Sequence, residues 1–97
     1  MVLQKISEFK NFKPTGGKLL KIAYRIEGLS VLEFRLRGDF FMHPESALEL
    51  LESKVLELEL DKNFVQELGV FLAEQNVQLF GFTVENLYEI LTTGQCS

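Results

Sequence analysis

Two stretches of the chain alternate apolar and polar residues with period two. In "KLLKIAYRIE", Leu20, Ile22, Tyr24 and Ile26 fall on one face and Lys21, Ala23, Arg25 and Glu27 on the other. In "VLEFRLRG", Leu32, Phe34 and Leu36 alternate with Glu33, Arg35 and Arg37. Each reads as a half-buried strand, and "GLS" between them reads as a turn, so the pair forms an antiparallel hairpin. Its outer face presents Lys21, Arg25, Arg35 and Arg37. "KPTGG", residues 13 to 17, breaks the pattern before the first strand: Pro14 pushes Lys13 toward an extended conformation, and Gly16 and Gly17 permit a turn. Antiparallel pairing sets that turn beside the end of the second strand, where Gly38 and Asp39 stand.

Beyond residue 42 the apolar spacing becomes helical. Pro44 suits a first helical position and Glu45 a first turn, and Ala47, Leu48, Leu51 and Val55 share a face, which predicts a helix over about 44 to 54. "VLELEL", residues 55 to 60, fits either a short strand or a linker. Asp61 is the expected N-cap of a second helix with Phe64, Val65, Leu68, Phe71 and Leu72 on its apolar stripe. Thr83 caps a third, whose stripe is Val84, Leu87, Ile90 and Leu91 and whose end is marked by Gly94. A lone hairpin is marginally stable, so residues 2 to 12, despite poor alternation, are a candidate third strand. The expected architecture is α+β: a two-layer sandwich of a small antiparallel sheet, two or three strands, with about three helices on one face. The other sheet face is left to solvent or to a partner.

Composition narrows the classes further. Ninety-seven residues correspond to a single domain over 1–97, and 46% hydrophobic with 25% charged residues excludes wholesale disorder. No apolar run approaches the ~18 residues of a membrane span, and "MVLQKISEFK" lacks the apolar stretch of a secretory signal, so a cytoplasmic location is expected. Cys96, the single cysteine, allows no internal disulfide and no metal cluster, and reads as a surface thiol. The net charge of −4 is unevenly spread. Residues 1 to 38 hold eight basic and three acidic residues, and residues 39 to 97 hold two basic and eleven acidic ones. Either each layer has its own solvated face, or the basic half meets an anion or an acidic partner.

"RGDFFMHPE", residues 37 to 45, collects the remaining candidates at the expected junction of strand and helix. Gly38 permits a bend or a close approach, and Asp39 can accept amide hydrogen bonds from the turn that follows. Phe40 and Phe41 point in opposite directions if the backbone stays extended; either the helices bury both, or one faces outward as a contact patch. His43, the only histidine, is a helix-entry or surface residue unless a nucleophile lies near it. No GxSxG, HExxH, Walker-type, GxGxxG or CxxC pattern occurs, so no catalytic residue and no metal site is assigned. "TGGK" is a possible anion-contacting turn, but it precedes a strand and so lacks the amides of a following helix.

Taken in order, "FKPTGGKLLKI", the hairpin, "RGDFFMHPESALELLE", "LDKNFV" and "FTVENLYEIL" resemble the small C-terminal accessory domain of lipoate–protein ligases over residues 12 to 92. That family has a Lys-x-Pro-Gly-Gly-Lys-Leu type loop opening a strand, a Gly-Asp-Phe-Phe corner before a proline-started helix, and a closing Thr-Pro-Glu-Asp-Leu type helix. Thr15 is an extra residue in the loop, and Val84 stands where the family often has proline. The resemblance implies a detached accessory subunit, not an enzyme on its own, that forms a heterodimer with the large catalytic subunit. That ligase activates lipoate with ATP, with Mg expected in the complex, and transfers the lipoyl group to a carrier-domain lysine. It also implies that this chain alone binds no cofactor, since nothing here is similar to the large subunit's glycine-rich loop or lysine motif. The expected ligand- or partner-contacting residues are Lys13, Gly16, Gly17, Lys18, Gly38, Asp39, Phe40, Phe41 and His43. The alternative is a small nucleic-acid-binding α+β module using the basic hairpin. Tyr24 and Phe34 on the apolar face, with an acidic overall charge, argue against it, and neither nucleic acid nor membrane is an expected partner.

Overall fold

A computed structural model describes residues 8–14 and 16–94. The fold is α+β, with strands β1 (Lys10–Phe12), β2 (Leu20–Glu27), β3 (Ser30–Gly38), β4 (Phe41–His43) and β5 (Gln78–Phe80) and helices α1 (Ala47–Glu57), α2 (Phe64–Glu74) and α3 (Val84–Thr93). They form a three-stranded antiparallel sheet in the order β1-β2-β3 and a two-stranded antiparallel ribbon β4-β5.

The hairpin is the one the alternation predicts, closed by the two-residue connection Gly28–Leu29. A bulge corrects one detail. Arg25 pairs with Glu33 but Ile26 pairs with Val31, so Leu32 is the extra residue of β3. Val31 is therefore buried and Leu32 is 45% exposed, the reverse of a strict period-two reading. Ala23 is buried too, although it lies on the outer face, with Arg35 directly opposite. The candidate third strand exists as Lys10–Phe12, and residues 2 to 7 of that expectation lie outside the described residues.

On the inner face Phe12, Leu20, Ile22, Phe34 and Leu36 join one buried cluster with Leu51 and Val55 of α1, Phe64 and Leu68 of α2, and Leu87 and Ile90 of α3. Phe64 reaches the ring of Tyr88 at 5.6 Å, linking α2 to α3. No polar or charged side chain is buried among the described residues, so the core is held by apolar burial and dispersion. At the free edge of β3, Glu52 Oε2 accepts the Leu36 N–H at 2.9 Å and the Arg37 guanidinium at 3.1 Å, so α1 satisfies an edge amide that no strand pairs.

Three helix boundaries differ from the sequence expectation. Pro44 does not start α1, because the chain stays extended through His43 to pair with β5; a turn follows, with Ala47 N–H donating to Pro44 O and Leu48 N–H to Glu45 O. The helix then runs past 54 to Glu57, its buried stripe Ala47, Leu51 and Val55 continuing through half of "VLELEL". That segment is thus neither strand nor linker: Leu58 and Leu60 are buried, and Glu59 forms an isolated bridge with Ser30. Asp61 is not the N-cap of α2; Asn63 holds that position, and Asp61 closes the preceding turn by accepting the Asn63 N–H at 2.9 Å and, through its carbonyl, the Phe64 N–H at 3.1 Å. In α3 the expected signals hold: Thr83 and Asn86 form a capping box, and Gly94 ends the helix in the left-handed region.

Truncation of the fully buried Leu51 to Ala is expected to cost about 2–5 kcal/mol, and Glu52→Ala, which leaves the Leu36 amide without its acceptor, about 1–3 kcal/mol. Leu50→Ala, at an exposed position on the same helix, is expected to change stability by under about 0.5 kcal/mol. Urea unfolding of the three variants measures the order.

Candidate functional site

The glycine loop and the Gly-Asp-Phe-Phe corner meet. Gly17 N–H donates to Pro14 O at 2.9 Å, closing the loop, and Asp39 N–H donates to Leu19 O at 2.9 Å, tying the corner to the start of β2. The Leu20–Gly38 pairing is the last rung of the hairpin. Gly38 has φ +137°, and a Cβ there would stand 2.4 Å from Leu19 O and 3.0 Å from Leu20 Cα, so the position admits no side chain without moving backbone.

A third segment, not anticipated from sequence, completes the corner. The ribbon partner β5 leads into Gly81, whose carbonyl accepts the Lys18 N–H at 2.9 Å. Gly81 has φ +100°, and a Cβ on it would meet Lys18 Cγ at 3.0 Å and Phe40 Cα at 3.3 Å. Loop, corner and residues 80 to 82 are therefore in van der Waals contact. The opposite directions expected for Phe40 and Phe41 are observed. Phe40 turns inward against Phe82, edge to face at 5.1 Å, and Phe41 turns outward, 56% exposed. Directly opposite Phe41 stands Phe80, also 51% exposed, with ring centroids 6.2 Å apart. His43 lies on that outer ribbon face, opposite Gln78 and alongside the aromatic pair.

Of the expected contact residues, the structure brings Gly17, Lys18 and Phe40 against Gly81, ties Gly38 and Asp39 to Leu19 and Leu20, puts Gly16 in a concavity shared with Gly17 and Gly81, sets Phe41 and His43 on the adjoining ribbon face, and leaves Lys13 exposed at the entry to the loop. The side chains of Lys13 and Lys18 have no hydrogen-bond or ion-pair partner among the described residues. Asp39 departs from expectation: among the described residues its side chain accepts no amide, because the chain goes straight into β4, and its N–H is what engages, on Leu19 O.

The helix start missing after "TGGK" in sequence arrives through space. Gly16, Gly17, Gly81 and Phe82 share a concavity of about 370 Å³ with Thr83 and Asn86 of the first turn of α3. Two of the amides there are already occupied, since Asn86 N–H donates to Thr83 Oγ1 and Thr83 N–H to Asn86 Oδ1. A smaller depression of about 170 Å³ lies between Phe40, Phe41, Met42, Glu45 and Leu48. Two larger grooves lie away from the corner, one between α1 and α2 beside Lys54 and Phe71, the other between α1 and β3. Among the described residues no group of three or more His, Cys, Asp or Glu side chains could hold a metal ion, and no helix is long and apolar enough to cross a membrane. Among the described residues the assembly offers contact chemistry, Lys18 at Gly81 next to an exposed aromatic pair, and no nucleophile paired with a base.

No family model matches the sequence. The chain is 31% identical over 88 residues to the Danio rerio protein "Differentially expressed in FDCP 6 homolog". That match takes in 89% of this chain but 14% of the relative, so the chain spans about one seventh of the length of the curated protein it matches. Among solved structures it is similar to a chain of the archaeal lipoylation system of Thermoplasma acidophilum, a bi-partite lipoate protein ligase and its E2 lipoyl domain. The TM-score is 0.65 at 24% identity, over 91% of this chain and 97% of that one. The two chains share a fold from end to end.

The corner's geometry predicts that Gly38→Ala destabilises the chain by more than about 2 kcal/mol, combining a disfavoured φ with a backbone clash, whereas Gly69→Ala in α2, where an added Cβ meets nothing within 4 Å, stabilises by about 0.5–1 kcal/mol. Thermal melts of the pair check both signs.

Proposed function

We propose that this chain is a non-catalytic accessory subunit that associates with the large catalytic subunit of a split lipoate–protein ligase. In this reading it is required for the ATP-dependent activation of lipoate to lipoyl-adenylate, ahead of transfer to a carrier-domain lysine. The observation that carries the proposal is the end-to-end fold likeness to a similarly sized chain from a bi-partite lipoate protein ligase system. It is supported by the convergence of the two sequence motifs, Lys-Pro-Thr-Gly-Gly-Lys and Gly-Asp-Phe-Phe, on one corner of the fold.

The division of labour follows from the chemistry at hand. Phe41 and Phe80, exposed on a rigid ribbon, supply the apolar anchor for the large subunit, with His43 beside them and Gly38 and Asp39 at its border. Lys18 and Lys13 lie at the Gly16–Gly17 turn, where cations can counter the charge that shifts onto phosphate oxygens as pyrophosphate leaves. The lipoate, ATP and Mg belong to the assembled pair; this chain contributes the edge that closes over them.

The roles separate experimentally. Phe41→Ala combined with Phe80→Ala is expected to weaken association with the large subunit by about tenfold or more, as measured by isothermal titration. Lys18→Ala is expected to leave association within about threefold and to lower adenylate formation by about tenfold or more, the scale of a lost charge contact to a transition state. Full adenylate formation with Lys18→Ala, or full association with the double variant, would contradict the assignment.

A further inference from the structure

The outer face of the β1-β2-β3 sheet carries a charge arrangement that internal packing does not explain. Lys21 stands directly opposite Arg37, and Arg35 directly opposite Ala23, so three cations occupy two adjacent rungs of one face. All three are exposed. Like charges set opposite each other in an antiparallel pair cost stability. Of the three, only Arg37 has a carboxylate partner among the described residues, Glu52 at 3.1 Å; that oxygen also accepts the Leu36 amide, and the Arg37 side chain stays 52% exposed. Lys21 and Arg35 form no side-chain ion pair or hydrogen bond among the described residues. The acidic residues of this face gather at the far end, Glu33 opposite Arg25 and Glu27 at the turn, so the cations are concentrated at the end nearest Gly38.

We propose that Lys21, Arg35 and Arg37 form a docking surface for an acidic segment of a partner protein, whose carboxylates lie across the two rungs and relieve the repulsion between Lys21 and Arg37. Charge complementarity selects the occupant. A single-stranded nucleic acid would stack its bases on the sheet, but Tyr24 and Phe34 are turned to the opposite, inner face, and the phosphates of a longer duplex would also meet the field of eleven acidic residues beyond position 38. A short acidic protein segment can lie along the three exposed cations alone, within a Debye length of about 8 Å, while Glu33, Glu49 and Glu52 line the groove that Arg35 also borders. This surface goes beyond the accessory role above, being a second contact on the far side of the sheet from the core.

Fluorescence anisotropy with a labelled oligoglutamate peptide tests it on the full chain at low salt. Reversal by Lys21→Glu with Arg35→Glu is expected to weaken binding about tenfold. Lys54→Glu with Lys62→Glu, the same charge change on the helical side, is expected to shift it by no more than about twofold. Lys21→Glu alone should raise the thermal midpoint while lowering peptide affinity, because it turns an opposed like-charge pair into an attractive one. Equal losses in both double variants, an unchanged or lowered midpoint for Lys21→Glu, tighter binding of an oligothymidylate than of oligoglutamate, or salt-sensitive self-association in place of peptide binding would each overturn the proposal. The assay uses no ligase subunit, so its failure is distinct from failure of the accessory role.

Discussion

Backbone meets backbone at two points, and the site exists because no side chain stands between. At Gly38 the end of β3 lies against Leu19 and Leu20, and at Gly81 the end of β5 lies against Lys18 and Phe40. Two hydrogen bonds of 2.9 Å lock these approaches, Asp39 N–H to Leu19 O and Lys18 N–H to Gly81 O. Three segments far apart in sequence are thereby joined at one corner, and the short ribbon β4-β5, which would be marginal alone, is tied to the main sheet. A partner then meets a preformed surface and loses little conformational entropy in ordering it.

The exposed aromatic pair follows from that constraint. Because β4 leaves the corner extended, Phe40 is committed inward to Phe82 and Phe41 outward to Phe80. Both outward rings stay about half exposed, and Phe80 shares a concavity with Gly16 and Gly17, the turn flanked in sequence by Lys13 and Lys18, whose side chains have no partner among the described residues. Exposed apolar rings near cations that have no partner among the described residues suit a surface that packs on another protein, the arrangement on which the proposed accessory role rests.

Much of this was legible in the residues. The hairpin was readable because alternation sustained over eight residues fits a half-buried strand and does not fit a helix, and α3 because its cap, stripe and terminal glycine agree. The meeting of loop and corner followed from antiparallel pairing alone. What escaped was set by tertiary contact. The ribbon strands are three residues long, too short for a period, and Phe41–His43 pairs with a segment that begins 35 positions later at Gln78. That pairing moved the start of α1 from Pro44 to Ala47, and it brought Gly81 and the first turn of α3 to the site. The bulge at Leu32 was invisible for a related reason, since Val31 and Leu32 are equally apolar and only the register across the strands decides which is buried.

The central claim, that this chain completes an enzyme it does not itself constitute, is tested most directly by pyrophosphate release from lipoate and ATP in the presence of Mg. The large lipoate–protein ligase subunit of the same genome, this chain, and their mixture would be assayed side by side. The account predicts release from the mixture and background from either component alone; release by the large subunit unaided and unstimulated, or by this chain alone, would contradict it.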